Sequence, residues 1–354
     1  MKKQYYTFGE NPAGFSPRFI SYDSEFVREK SYIPKLALIQ LHQSDAQSAQ
    51  LYDPLSEDNT PPWSSILEHQ APIVMHSGSQ DLELMHLVTG QLPRSYRDTQ
   101  LGFALIQPEQ FASYATLIKH YLGISLNKEH TRSNWLKRPL TPAQLSYAAD
   151  DVYYLSQVYP LLCADLQRLG RLEWWQEECE RLLKQTTNNK SAYQWHRLSN
   201  ASQLKGIETA IADILVGIRE QLAAKQDLPR RHIAHDKLII TIAKARPITI
   251  EALADVLPAN HILWTALAEL TQRFAKLAKQ TAYPTIPRAP RLSYQAHKYY
   301  RSLLKHTQQC AKTLNIAADM LITAKQLKQY CAQPDADSLL TKGWRAPLYA
   351  NLLK

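Results

Sequence analysis

Residues 19–27, with the sequence FISYDSEFV, decide the fold of the N-terminal part of the chain. Their apolar and aromatic residues predict a β-strand. Residues two apart on a strand point to the same face, so Asp23 and Glu25 present two carboxylates side by side. Adjacent anions repel each other unless a cation lies between them, and carboxylate oxygens suit Mg²⁺ or Mn²⁺. An Asp-x-Glu pair is also common by chance on a solvated face, so this pair alone does not establish a metal site.

Strand and helix signals alternate around this segment. Residues 36–41 and 73–75 are short β-type runs, and residues 79–88 have a helical pattern. This alternation predicts an α/β fold built on a mixed sheet. The pattern changes after residue 200, because apolar residues recur at spacings of three and four over 201–224. That spacing predicts an amphipathic helix, and the rest of the chain is predicted to be all helical.

Further acidic residues occur at two later positions. Asp81 follows the predicted strand at 73–75 and lies near a helix start, where an acid also serves to cap the helix or compensate its dipole. Tyr147 and Asp151 are four residues apart and share one face of a helix, while Asp150 points about 100° away. A buried tyrosine with an acid at the edge of an amphipathic helix is the plain structural alternative.

The charge is divided unevenly along the chain. Residues 1–190 contain 18 Lys and Arg and 21 Asp and Glu, a net charge of 18 − 21 = −3. Residues 191–354 contain 23 Lys and Arg and 11 Asp and Glu, a net charge of 23 − 11 = +12. This asymmetry favours a C-terminal part that binds a polyanion, although a solubilising surface also explains it.

Breaks in the pattern suggest where domains meet. Residues 184–191 are polar and lack a helical period, and residues 284–290 contain three prolines, which cannot continue a helix. We therefore predict domains at 1–185, 192–282 and 291–354.

Composition excludes several classes of protein. The 10 glycines form no phosphate-binding loop of either common type, and no apolar run reaches the roughly 18 residues of a membrane helix. The N-terminal lysines are not followed by an apolar stretch, so we expect no secretory signal. The four cysteines are far apart, which is typical of reduced thiols in a cytoplasmic protein. They are Cys163, Cys179, Cys310 and Cys331.

Taken together, the order of the acids and the short segments that surround them resemble the DEDD exonuclease superfamily, in its tyrosine-bearing branch. The chain is most similar to the ribonuclease D family. The matching segments are 23–28 (DSEFVR), 33–41 (IPKLALIQL), 76–83 (HSGSQDLE), 97–100 (RDTQ), 128–135, 138–141 and 147–155. Residues 192–275, with Trp195, Leu204 and the DLP of 227–229, are similar to the family's helicase-and-ribonuclease-D C-terminal (HRDC) module.

The resemblance implies a ribonuclease-H-like 3′–5′ exonuclease domain followed by two small all-helical domains of the HRDC type. It implies two divalent ions, Mg²⁺ or Mn²⁺. Asp23 would bridge both ions, Glu25 and Asp151 would complete the first, and Asp81 would hold the second. Tyr147 would orient the attacking water.

The resemblance also implies an enzyme that hydrolyses RNA from its 3′ end, releases nucleoside 5′-monophosphates and acts on tRNA precursors with 3′ extensions. We expect a monomer. The helical domains would hold the RNA. The candidate contacts are Lys225, Arg230, Arg231, Lys237, Arg288, Arg291, Lys298, Arg301 and Lys305, with Tyr294, Tyr299 and Tyr300 as stacking candidates. Solvated basic faces and core tyrosines are the alternative for each.

Other functions are compatible with parts of the pattern. A DNA-directed 3′–5′ exonuclease would use the same acids, and rates on matched RNA and DNA strands separate the two because only RNA carries a 2′-hydroxyl. A non-catalytic nucleic-acid-binding protein would not need the four acids and Tyr147. A protein adaptor would bind nucleic acid poorly despite the +12 half of the chain.

Overall fold

The computed structural model describes residues 6–9, 17–28, 31–57, 59, 61–108, 111–126, 133–188, 194–285, 292–335 and 337–353. Two of the predicted RNA contacts, Arg288 and Arg291, lie outside these ranges, and so do residues 128–132 of a segment that resembles the family. Within the described ranges, every helix is too short or too polar to cross a membrane.

Six strands form one mixed sheet in the N-terminal half. They are β1 (Tyr6–Phe8), β2 (Ile20–Val27), β3 (Lys35–Gln43), β4 (Ala49–Tyr52), β5 (Ile73–Met75) and β6 (Tyr96–Asp98). The strand order is β1-β4-β3-β2-β5-β6. Strand β2 is parallel to β5, β5 is parallel to β6 and β1 is parallel to β4, whereas β3 and β4 are antiparallel. The predicted mixed sheet is confirmed, with the acid-bearing strand β2 in its interior.

The helices are of very different lengths. In the N-terminal half they are α1 (Trp63–Leu67), α2 (Ser79–Thr89), α3 (Thr99–Ala104), α4 (Tyr114–Leu122), α5 (Pro142–Arg168) and α6 (Leu172–Asn188). Next come α7 (Ile207–Gln226), α8 (Arg230–Ile233), α9 (Asp236–Ala245), α10 (Ile250–Ala254) and α11 (Leu267–Leu277). The last are α12 (Tyr294–Leu314), α13 (Ala318–Leu321), α14 (Ala324–Ala332) and α15 (Ala346–Tyr349).

By its internal contacts the chain divides into two compact units. The first contains the described residues of 1–26, 36–189 and 289–354, and the second contains those of 27–35 and 190–288. The second unit has its own apolar core, in which α7 packs against α9 and α11. The domain boundaries drawn from the sequence stay a prediction, and the C-terminal helices group with the exonuclease sheet rather than standing apart.

Two helices cover the two faces of the sheet. On one face Ile20, Tyr22 and Ile39 pack in a core with Trp175 and Cys179 of α6. On the other face Ala49 of β4 packs against Ala149 and Val152 of α5. Because apolar side chains alternate along β2, its remaining residues, including Asp23 and Glu25, project towards the α5 side.

The C-terminal helices are fastened to α6 by a buried ion pair. The Arg345 guanidinium, of which 3% is exposed, bonds the carboxylate of Glu178, of which 1% is exposed. Arg345 also donates to the carbonyls of Leu321 and Met320 (both 2.6 Å). The indole of Trp344 donates to Glu178 (3.1 Å). These bonds satisfy the buried charges within one unit.

The helix predicted over 201–224 begins six residues later than its apolar spacing suggests. It starts at Ile207, because Gly206 has φ of +55° and ψ of −128°, a conformation outside the helical region. Ala201–Gln203 form a separate 3₁₀ turn, and Leu204 packs into the core from an extended conformation.

Candidate active site

Three carboxylates from distant parts of the sequence converge at the middle of the sheet. One oxygen atom from each of Asp23, Glu25 and Asp151 lies within 4.8 Å of the other two. Asp23 and Glu25 project from β2 and Asp151 from α5, which covers that face of the sheet. The structure therefore brings together three of the four acids predicted as ligands.

Asp81, the fourth predicted acid, lies beside this group in the first turn of α2. Its side chain is 8% exposed, and it accepts a hydrogen bond of 2.5 Å from the hydroxyl of Ser24. Its charge raises the pKa of Asp23, as expected for a close neighbour. Ser24, which lies between the two acids of β2, was not singled out from the sequence.

Helix α5 begins with a capping box that fixes where its side chains point. The Thr141 hydroxyl accepts from the Gln144 amide (3.2 Å), the Gln144 side chain accepts from the Thr141 amide (3.1 Å), and Pro142 occupies the first turn. Tyr147 and Asp151 then share one face, and the Tyr147 hydroxyl bonds the Asp151 carboxylate. This bond lowers the pKa of Asp151, but burial and Asp150 raise it more.

The carboxyl groups are held at abnormally high pKa values. Burial, followed by the charges of Asp151 and Asp81, raises the pKa of Glu25 to about 9. Burial, followed by the charge of Asp150, raises the pKa of Asp151 to about 8. Burial and its three acidic neighbours raise the pKa of Asp23 well above the usual range. Such a group of acids is stable in ionised form only with added positive charge.

A cavity of about 160 Å³ opens onto this group. It is lined by Tyr22, Asp23, His76, Tyr114, Tyr147, Asp151 and Leu155. None of these seven residues is Lys or Arg, and burial lowers the pKa of His76 and favours its neutral form. The positive charge that the carboxylates require is therefore absent from the lining residues. Hard oxygen donors in this arrangement fit divalent Mg²⁺ or Mn²⁺.

His76 and Tyr114 are cavity residues whose role the sequence did not reveal. The His76 ring nitrogens lie 3.1 Å from the Thr99 hydroxyl and 3.1 Å from the Ala112 carbonyl. The Tyr114 hydroxyl donates to the Asp150 carbonyl (3.0 Å). His76 lies in segment 76–83, which resembles the family, so the sequence could have identified it as a site residue. Tyr114 follows a loop and belongs to no periodic pattern.

A partly buried acid cluster on an interior strand, facing a tyrosine-bearing helix, fits the 3′–5′ exonuclease class that the sequence resemblance implies. The sequence profile of the 3′–5′ exonuclease family matches residues 10–167, and that of the HRDC domain matches residues 208–259.

The chain belongs to the ribonuclease D family, and it is a 3′–5′ exoribonuclease that acts on nucleic acid. It is 30% identical to ribonuclease D of Sphingobium indicum over 340 residues, which cover 92% of this chain and 86% of that protein. It is 29% identical to ribonuclease D of Escherichia coli over 351 residues, covering 94% and 91% of the two chains. The crystal structure of Escherichia coli RNase D, described as an exoribonuclease involved in structured RNA processing, matches with a TM-score of 0.79 at 26% identity. That match covers 95% of this chain and 92% of the other.

Proposed function

We propose that the chain hydrolyses RNA phosphodiesters with two divalent metal ions, Mg²⁺ or Mn²⁺, and releases nucleoside 5′-monophosphates. We further propose that it trims 3′ extensions from tRNA precursors. The convergence of Asp23, Glu25 and Asp151 within 4.8 Å carries this proposal. These three acids are partly buried, and the described residues that line the cavity include no Lys or Arg, so their expected chemical role is to bind positive charge.

The acids divide the binding of metal between them. Burial and the charges of all three other acids raise the pKa of Asp23, so it is the residue that both ions would share. Glu25 and Asp151 would complete the first ion, and Asp81, held by Ser24, would bind the second. Bound divalent ions supply Lewis-acid stabilisation of the charge that develops on the phosphate.

Tyr147 orients the attacking water and does not act as a base. A phenol is ordinarily protonated at neutral pH, so it donates a hydrogen bond and does not remove a proton. Its bond to Asp151 holds the hydroxyl at the edge of the cavity, where it can orient the water that attacks the phosphate. The nearby ring of Trp135, with centroids 6.1 Å apart, restricts the Tyr147 side chain.

One gel tests the proposed activity. A tRNA with a labelled 3′ extension is incubated with and without Mg²⁺, using the native chain, Asp151→Asn and Asp150→Asn. Asp150→Asn is the matched control, because it makes the same chemical change one residue away, outside the group of three carboxylates.

We expect stepwise shortening with the native chain and with Asp150→Asn, but only when Mg²⁺ is present. Asp151→Asn should leave the substrate intact. Shortening by Asp151→Asn at the native rate would contradict the proposed site. A matched DNA strand that is degraded as fast as the RNA would contradict the choice of substrate.

We also propose that the chain is a cytoplasmic monomer. Its four cysteines are free, which suits a reducing compartment. Light scattering after gel filtration should give a mass close to 40.5 kDa. A mass twice that value would contradict the monomer.

A further inference from the structure

Helix α12 carries an exposed row of basic side chains with an aromatic residue at its start. The helix has 21 residues, and none is acidic. We call this row the α12 stripe. Its members are Tyr294, Lys298, Arg301, Lys305 and Lys312, and all five are exposed.

The five residues form a straight row because of helical geometry. Their spacings of four, three, four and seven residues place them within about 60° of one another at 100° per residue. Leu303, Thr307 and Ala311 are buried on the opposite face. The row is about 27 Å long at 1.5 Å per residue. Tyr294 is 88% exposed, an unusual position for a large aromatic side chain.

The cations of the stripe have no carboxylate partner within the described part of the chain. Among the residues that the structure describes, none of the four forms an ion pair with a carboxylate. Several arginines of the second unit differ in this respect. Arg230, one of the predicted RNA contacts, is paired with Glu220 (2.7 Å), and Arg246 is paired with Glu208 (2.7 Å). The stripe therefore keeps its full charge for a ligand.

The stripe is fixed to the unit that contains the acid cluster. Ala311 packs in the same apolar core as Trp175 of α6. The carbonyl of Leu314, at the end of α12, accepts a hydrogen bond of 2.8 Å from Arg171. The helix is thus docked by its C-terminal end, and the stripe extends from Lys312 at the docked end to Tyr294 at the far end.

Of the three tyrosines predicted to stack on bases, two are packed against the protein. Tyr299 and Tyr300 pack around the C-terminal core, and the Tyr299 hydroxyl donates to the Leu352 carbonyl (2.9 Å). They are used in packing. Of the three tyrosines considered for stacking, Tyr294 has its ring in solvent.

We infer that the α12 stripe is a track for the single-stranded part of the RNA, with its cations on successive phosphates and Tyr294 stacked on a base. This inference rests on the proposed function. Unpaired cations in a row match a regularly charged strand, and phosphate binding gains free energy by releasing counterions. An exposed aromatic ring adds a stacking platform that accepts any base.

The test compares two variants with equal loss of charge. Arg301→Gln with Lys305→Gln removes two cations of the stripe. Lys325→Gln with Lys328→Gln removes two cations from α14 of the same unit and is the matched control. Each full-length protein is assayed on a 20-nucleotide RNA and on a trinucleotide, from low to high salt.

We expect the stripe variant to raise KM for the 20-nucleotide RNA about tenfold at moderate salt, with kcat unchanged. The slope of log affinity against log salt should fall by about 1.4, because each phosphate contact on a single strand contributes about 0.7. Trinucleotide hydrolysis should stay at the native rate, since so short a substrate does not extend along the stripe. Tyr294→Ala should also raise KM for the longer RNA, with no change in salt slope.

Two results would overturn the inference while leaving the proposed function intact. One is an unchanged KM and salt slope for the stripe variant. The other is an equal effect of the α14 control, which would indicate general surface charge. Loss of trinucleotide hydrolysis by the native chain would instead count against the proposed function itself.

Discussion

The carboxylate of Glu178 and the carboxylates of the acid cluster, all in the first unit, differ in what neutralises their charge. Glu178 is enclosed by Arg345, Arg181 (2.5 Å) and the indole of Trp344. Burial raises the pKa of Glu178, but these partners, led by Arg345, outweigh it and bring the pKa below its usual value. Asp81 is also buried and Asp23, Glu25 and Asp151 are partly buried, but the pKa values of these four acids are raised instead.

The comparison shows how burial alone fails to distinguish structure from function. A buried acid with its own cation fastens two parts of a protein together, because the charges are satisfied inside the chain. The site acids have no such cation among the described lining residues, so their repulsion destabilises the folded state until an ion binds from solvent. The sign of the pKa shift therefore separates the fastening Glu178 from the site residues.

Replacement of Asp23 should have the largest effect on activity. We expect Asp23→Asn to lower kcat on RNA about 10⁴-fold, which corresponds to about 5.5 kcal/mol of activation free energy. In EDTA at pH 9, where the site acids begin to carry charge, the same variant should melt at a higher temperature than the native chain, because one repelling charge is gone. Single-turnover kinetics and thermal melts give both quantities. A lower melting temperature would contradict the difference between the two groups.

Removal of the fastening cation should change stability in the opposite direction. Arg345→Ala leaves Glu178 buried without its main partner, so we expect a loss of about 3–5 kcal/mol in the free energy of unfolding. Arg168→Ala, which breaks an exposed pair with Asp165, should cost less than about 1 kcal/mol. Denaturant titration of both variants measures the difference. A similar cost for the two would show that burial of the Glu178 pair has no consequence.

Both pH and Mg²⁺ should change the stability of the folded chain through the site acids. The folded-state pKa values of Glu25 (about 9) and Asp151 (about 8) exceed their ordinary values of 4.5 and 3.8. Their contribution to stability is thus full below pH 4 and is lost as pH rises through 8 and 9. Between its ordinary and its folded-state pKa, each carboxyl group lowers the free energy of unfolding by about 1.4 kcal/mol per pH unit.

Thermal melts between pH 6 and pH 9 in EDTA should show this decline. Mg²⁺ at 100 times its dissociation constant should add back about 2.7 kcal/mol. The double variant Glu25→Gln with Asp151→Asn should show neither the decline nor the Mg²⁺ effect. A native chain whose melting temperature is flat across this range would contradict the raised pKa values.

The smallest effect is expected for Tyr147→Phe. It keeps every carboxylate, so Mg²⁺ should still raise the melting temperature as in the native chain. The loss of one orienting hydrogen bond should lower kcat by about tenfold to a hundredfold. Equal loss of Mg²⁺ stabilisation would mean that Tyr147 acts through the metal site rather than on the water.

The sequence was sufficient where a local pattern carries the information. The strand around Asp23, the helix that follows Ile73–Met75 and the shared face of Tyr147 and Asp151 all follow from residue spacing. The short strands Tyr6–Phe8 and Ala49–Tyr52 were not predicted. The four residues of Ala49–Tyr52 are all buried, so they lack the alternation that marks a strand.

Contacts between residues that are far apart in the sequence also could not be predicted from a local pattern. Glu178 and Arg345 are 167 positions apart, and each looks like an ordinary surface charge in its own helix. The grouping of the C-terminal helices with the exonuclease sheet depends on such contacts, so it could not be seen in the sequence. The bond from Ser24 to Asp81 was missed for the same reason.

The capping box of α5 gives that helix a fixed rotational origin. Since Thr141 and Gln144 set the first turn, every later side chain has a defined azimuth around the axis. One residue inserted between Gln144 and Tyr147 would turn the remaining helix by about 100°. Asp150 would then take the position of Asp151, but Tyr147 would turn away from the acids and its position would pass to the residue before it. The spacing of this short segment is therefore under tighter constraint than most of its individual residue types.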